Sequence, residues 1–249
     1  MRIPSLVKKF LMAITGLALV GFVFGHLVGN LQVYLDPYFI NAYALKLKEL
    51  GPALWAIRAV LLAIIVVHVV TAIALTRENR AARPERYKAE STVQATYASR
   101  TMPASGLIIF LFIVFHLAHY TVRVVPGHEY DDAIKMANGD VYQAMIPLEY
   151  KGEVKADKDV LDVHTMLVAG FSYWWISAIY IVAMALLSLH LNHGVSSMFQ
   201  SLGFRNAVWR KRLDFLSRAF AIFIFVGFVS IPVAVLAGAV NIGGLSISN

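Results

Sequence analysis

The sequence predicts an all-α membrane protein whose chain crosses a bilayer five times. Of 249 residues, 59% are hydrophobic and 15% charged, and the mean hydropathy is +0.66, a composition typical of membrane chains. The apolar residues fall in five long blocks. A hydrocarbon core is roughly 30 Å thick and a helix rises ~1.5 Å per residue, so about 20 apolar residues cross it. Lys and Arg also cluster in connections at alternate helix ends, as a consistent topology requires.

The first span is expected over residues 10–35, after Arg2, Lys8 and Lys9. A signal peptide shares this basic start, but the apolar run is too long and lacks an Ala-x-Ala site. The second span, 53–75, follows Gly51-Pro52, which ends one element and presets the next, and it stops at Thr76-Arg77. The third, 102–125, is entered through Arg100 and Pro103 and closed by Pro126-Gly127. The fourth covers 166–193. The fifth covers 215–240, with Pro232 as an expected kink. These spans form a single membrane domain over 1–249. A polar segment, 128–162, carries Glu129, Asp131, Asp132, Asp140, Glu149, Glu153, Asp157, Asp159 and Asp162 and is expected to cap one face.

The N-terminus, the connection from Arg77 to Arg100 and the connection from Arg205 to Arg218 are basic and fall on one side. That side is read as the cytoplasm of a cell with this chain in its inner membrane, which puts the C-terminus outside. The net charge of +7 therefore reports topology and a docking face for an acidic soluble partner, not nucleic-acid binding. Absence of cysteine excludes disulfides, thiolate metal sites, iron–sulfur clusters and C-x-x-C-H haem attachment on this chain.

Six of eight histidines lie in or at the ends of the spans: His26, His68, His116, His119, His190 and His193. An ionisable group inside a membrane is costly and signals function, although a neutral imidazole can simply bond to a neighbouring helix. Depth separates the two readings. His26 and His116 each stand about nine residues before an outer helix end, ~14 Å below that surface. His68 and His190 both lie in the later halves of inward-running helices. Two His/His pairs at two depths suit the axial ligation of two b-type haems in a bundle of the first four helices. Zinc or copper would need three or four converging ligands. His119 and His193 follow a ligand by three residues and are reserve ligands or propionate contacts. His128 and His164 fall in the polar segment or at its end and take no ligand role. Gly16, Gly21, Gly25 and Gly29 recur on one face of the first helix, for helix packing or for close approach of a haem plane.

These residues resemble the dihaem cytochrome b membrane subunit of succinate:quinone oxidoreductases, the succinate dehydrogenase and quinol:fumarate reductase family with one large anchor chain. The resemblance rests on Gly25-His26-Leu27-Val28-Gly29-Asn30, His68 after an aliphatic run, Phe115-His116-Leu117, Leu189-His190-Leu191-Asn192-His193-Gly194 and Ser197-Met198-Phe199-Gln200. It implies that His26 and His116 hold an outer haem and His68 and His190 an inner one. It also implies a flavoprotein subunit with FAD and an iron–sulfur subunit on the cytoplasmic face, with electrons passing through the haems to or from a membrane quinone, menaquinone being the first expectation. The dicarboxylate site would belong to a partner subunit, so this chain would be the quinone-reactive, non-flavin part of the enzyme.

Ser188 stands where some fumarate reductases of this type carry a membrane glutamate, and the outer loop is longer than the resemblance leads one to expect. A quinone needs an apolar slot and polar groups at its carbonyls. Asn30, Gln32, Asp36 and Glu49 are the candidates, and Glu49 stands about where the fumarate-reductase branch has a quinol-reactive glutamate. Arg58 and Arg123 at outer ends, with Lys9, Arg77 and Arg100 at inner ends, could pair with haem propionates or simply snorkel. The alternatives are a dihaem subunit of a hydrogenase or formate dehydrogenase and, in another class, a haem-free anchor or transporter.

Overall fold

Without water to satisfy backbone N–H and C=O groups, a single membrane-crossing segment closes its own hydrogen bonds as a helix. The computed structural model describes residues 3–82, 97–125, 145–157 and 159–242, with the backbone alone for 97–100. It shows an all-α membrane protein, multi-pass, with five helices long and apolar enough to cross a bilayer: Ser5–Tyr34, Pro52–Ala81, Thr101–Val122, Trp174–Ser201 and Arg210–Leu236. The elements are α1 (Ser5–Asn30) running into a 3-10 turn (Leu31–Tyr34), α2 (Pro37–Glu49), α3 (Pro52–Ala81), and α4 (Tyr97–His116) running into a π-helical turn (Leu117–Val122). After these come β1 (Met145–Ile146), β2 (Glu149–Tyr150), β3 (Glu153–Val154), β4 (Val160–Leu161), α5 (Val163–Ser172), α6 (Trp174–Ser201) and α7 (Arg210–Leu236). Large side chains such as Leu62, Val66, Leu111 and Val182 stay exposed on these helices, as a lipid-facing surface requires.

Three local features differ from the sequence expectation. The apolar run from Met166 is not continuous with the helix of His190. The chain breaks at Tyr173, whose backbone is extended at φ −77°, ψ 114°. Ser177 Oγ donates to the Phe171 carbonyl at 2.6 Å, satisfying an acceptor near the end of α5. No proline or glycine marks that break. Second, α2 forms where only a connection was expected: Asp36 accepts from the Tyr38 N–H at 2.9 Å, Pro37 occupies the first turn, and Lys46 and Lys48 sit in the last. Third, α7 runs from Arg210 to Leu236 with Pro232 inside it, starting and ending some residues before the expected 215–240. In the polar segment β1 pairs with β4 and β2 with β3, all antiparallel, and β2 and β3 are joined by Lys151 and Gly152, both at positive φ, the geometry of a type I′ hairpin. Glu129, Asp131, Asp132, Asp140, His128 and the Pro126-Gly127 pair lie outside the described residues, as do Arg83, Arg86, Lys88 and the tail beyond 242.

The chain divides into two compact units. One comprises Met1–Phe24, Ala56–Phe110 and Ala185–Phe225. Its core sets Ala13, Val195 and Met198 against Val20, Phe199, Leu202 and Phe220. Ser188, in the position discussed above, donates to the Ala221 carbonyl at 3.0 Å and ties α6 to α7. Lys8 pairs with Glu78. One guanidinium nitrogen of Arg205 donates to both Asp214 oxygens at 3.1 Å, and Ser196 donates to the same carboxylate at 2.7 Å, charge-assisted contacts that close the α6–α7 connection.

The other unit comprises Gly25–Trp55, Leu111–Met184 and Val226–Asn249. Val33, Ile40, Val168, Ile176 and Ile231 form its core, and α2 packs on α5 and β4. Asn41, 2% exposed, joins α2 to the start of α5. Its amide donates to Asp162 at 3.2 Å, and its carbonyl accepts from the Val163 and His164 N–H groups at 2.8 and 3.1 Å. Asp162 also caps Thr165 N at 3.1 Å, so two of the orphan donors of α5 fall to Asn41 and one to Asp162.

Candidate cofactor sites

The first unit holds His68 on α3 and His190 on α6. Each ring has a hydroxyl at Nδ1. Thr15 Oγ1 lies 3.0 Å from His68 Nδ1, and Ser105 Oγ lies 3.3 Å from His190 Nδ1. The Thr15 proton has a partner elsewhere, the Leu11 carbonyl at 2.7 Å, and the Ser105 proton goes to Met102 O at 3.1 Å. With those protons on the carbonyls, both oxygens are open to accept from the imidazoles. With hydrogen at Nδ1, each ring keeps its Nε2 lone pair for a metal. Gly16 and Gly106 adjoin these hydroxyls and pack against the rings: a Cβ there would stand 3.7 Å from His68 Cε1 and 3.5 Å from His190 Cε1, an ordinary contact.

The second unit holds His26 on α1 and His116 at the end of α4. Their ring centres are 5.7 Å apart and nearly perpendicular, at 84°. Two imidazoles bound to one metal through bonds of roughly 2 Å would stand with ring centres about 6 Å apart, so this pair fits bis-histidyl ligation. Phe112 stacks on His116, and Phe228 lies beside His26. Tyr180 of α6 brings its hydroxyl to His116 Nδ1 at 3.2 Å and to His119 Nδ1 at 3.0 Å. A phenol has one proton, so at least one ring must donate its own Nδ1–H to the Tyr180 oxygen. His116, which faces His26, is the ring in which that tautomer leaves Nε2 for a metal.

His119 is fully buried, with 0% exposure, and its ring lies on Tyr120 at 4.0 Å. The π-helical turn that carries it widens the helix beside His116, a distortion common at functional positions. Gly170 of α5 makes room for this stack. A Cβ at Gly170 would come 2.4 Å from Tyr120 Oη and 3.2 Å from His119 Cε1. His193 turns its Nε2 to Ser197 Oγ at 3.1 Å, a contact within α6.

Among the described residues no three His, Asp or Glu side chains converge on a point. Two histidine pairs, with a hydroxyl at Nδ1 of His68, His190 and His116, are a donor set that would suit bis-histidyl haem ligation.

The quinone candidates do not form one cluster. The Asn30 amide is turned back to the His26 carbonyl at 2.7 Å. Gln32 lies half-buried in the 3-10 turn and Asp36 caps α2, while Glu49 is exposed as the last residue of α2. A 13-residue helix separates Asp36 from Glu49 by about 20 Å, so one quinone ring cannot touch both. Gly29 serves packing, since a Cβ there would stand 3.0 Å from Tyr43 Cε1. Lys9, Arg58 and Arg77 are exposed, and the Arg100 side chain lies outside the described residues. His164, given no role from sequence, is buried beside the Asp162 and Asp36 carboxylates.

Sequence reasoning missed Thr15, Ser105 and Tyr180. One signal for two of them was present: Thr15-Gly16 precedes His26 by eleven residues, and Ser105-Gly106 precedes His116 by eleven. That is about three turns, placing hydroxyl and imidazole on one helix face.

Comparison of the chain with protein-family models, with curated proteins and with solved structures gives no match.

Proposed function

We propose that this chain is the membrane anchor and electron-transfer subunit of a succinate dehydrogenase or fumarate reductase complex. On this reading His26 and His116 hold an outer b haem and His68 and His190 an inner one. The observation that carries it is the hydroxyl at the Nδ1 atom of three of these imidazoles in two separate pairs, an arrangement that would favour the Nε2-ligating tautomer. Haem, when bound, supplies one-electron redox chemistry between a soluble iron–sulfur subunit and a membrane quinone, menaquinone or another.

The residues of this chain orient and insulate. Thr15, Ser105 and Tyr180 set ring rotation and tautomer, while Phe112, Phe228 and the aliphatic spans exclude water from the imidazoles. The basic connection Arg205, Arg210, Lys211, Arg212 and Arg218 supports a cytoplasmic docking face for the iron–sulfur and FAD subunits. A relay through two haems at the two depths expected from the sequence would couple the reaction to the membrane potential.

The decisive measurement is the reduced-minus-oxidised spectrum of the purified protein with haem quantified per chain. Two low-spin b haems are expected, and His26→Ala and His68→Ala should each remove one. Fewer than two haems, or both retained in either variant, overturns the reading and leaves a haem-free anchor or transporter.

A further inference from the structure

In the second unit Tyr180 bridges two histidine Nδ1 atoms, those of His116 and His119. Its ring is held edge-on between Phe112 and Phe171, each at 5.0 Å, and is 7% exposed. His119 is held with equal firmness between the Tyr120 stack and Gly170. The hydroxyls of Thr15 and Ser105 pass their protons to backbone carbonyls, whose acceptor strength is fixed by the helix. The Tyr180 proton instead faces an imidazole.

We infer that Tyr180 is a positioning residue for His116, its phenol accepting the His116 Nδ1–H and donating its own proton to His119 Nδ1, so that His119 tunes His116 through a two-link chain. This rests on the function proposed above. The physical warrant is that serial hydrogen bonds polarise one another in a dry, low-dielectric setting. A phenol that donates its proton to an imidazole is a better acceptor for His116, and a stronger acceptor at Nδ1 makes a ligating imidazole more basic at Nε2. A more basic axial ligand favours the oxidised metal. The chain therefore lowers the potential of the His26/His116 haem, and removing either link raises it. His119 acts here through Tyr180 and ligates nothing, which gives this second buried histidine a role that ligand counting leaves unassigned.

The test uses the full chain in its complex, with haem per chain and a potentiometric titration of both haems. Tyr180→Phe should retain two haems and shift one couple upward by about tenfold in the reduced-to-oxidised ratio, about 60 mV for one electron. His119→Phe should shift the same couple in the same direction by less, and His119→Gln, whose carbonyl can accept the phenol proton, should restore it. Ser105→Ala should move the other couple, identifying which haem is which. If both couples of Tyr180→Phe titrate as in the unaltered protein with two haems present, the inference fails while the proposed function stands. Should Tyr180→Phe release a haem, His119→Phe decides: a shifted couple supports the chain and an unmoved couple overturns it. Fewer than two haems in the unaltered protein overturns the proposed function instead, a separable result.

Discussion

Thr15 Oγ1 stands 3.0 Å from His68 Nδ1 with its own proton turned to the Leu11 carbonyl. A side chain on the first long helix thus selects the tautomer of a histidine on the second, because the hydroxyl has no other proton to give. Under the proposed function, Thr15→Val keeps the branched shape but removes the acceptor. The His68/His190 couple should then move upward by about tenfold in its reduced-to-oxidised ratio, whereas Thr15→Ser should leave it in place. Redox titration of the two couples reads this directly.

His116 and His119 share one phenol but are not equivalent, since His116 is the ring found 5.7 Å from His26. His116→Ala should lower the haem count from two to one per chain, and His119→Ala should leave it at two. A haemochrome assay on the two variants distinguishes them. The reverse pattern would exchange the ligand assignment.

Gly170 is a packing requirement with a stated partner. A methyl group there would sit 2.4 Å from Tyr120 Oη, and overpacking of a buried contact costs roughly 1–3 kcal/mol. Gly170→Ala should lower the thermal midpoint in detergent, and adding Tyr120→Phe should recover part of the loss. A double variant no more stable than Gly170→Ala alone would argue that the clash lies elsewhere.

The anchoring of α5 should depend on pH. Burial holds the His164 imidazole below its ordinary value of 6.5, outweighing the Asp162 and Asp36 carboxylates that act to raise it. Because the folded value lies below the unfolded one, the stabilisation is present above about pH 6.5 and is lost as pH falls from there through the folded value. Hydrogen exchange of residues 160–172 should accelerate over that range, and His164→Phe should flatten the dependence. Asn41→Leu should accelerate exchange at every pH, because it strands the Val163 and His164 N–H groups at a cost of about 1–3 kcal/mol each.

Several features were legible in residue type and spacing alone. Apolar blocks longer than a bilayer is thick force helices, so the all-α membrane class and five spans followed from composition and run length. The placement of His26, His68, His116 and His190 on separate spans followed from helical rise. Two elements did not follow. The break at Tyr173 carries no proline or glycine signal, since it is held by the Ser177 hydroxyl on the Phe171 carbonyl. Helix α2 has a visible cap in Asp36-Pro37, but its mixed apolar and polar run becomes an element only by packing on α5 and β4.

The same division holds at the candidate sites. By itself the sequence determined which residues can ligate, because only imidazole offers a neutral nitrogen ligand on these apolar helices. Tertiary structure alone decided which hydroxyls, Thr15, Ser105 and Tyr180, meet the Nδ1 atoms of these rings, and that His116 lies 5.7 Å from His26. Those contacts turn on side chains of other helices and on the π-helical turn Leu117–Val122 that carries His119. Neither is a property of residue type or spacing; both arise only when another helix supplies the partner.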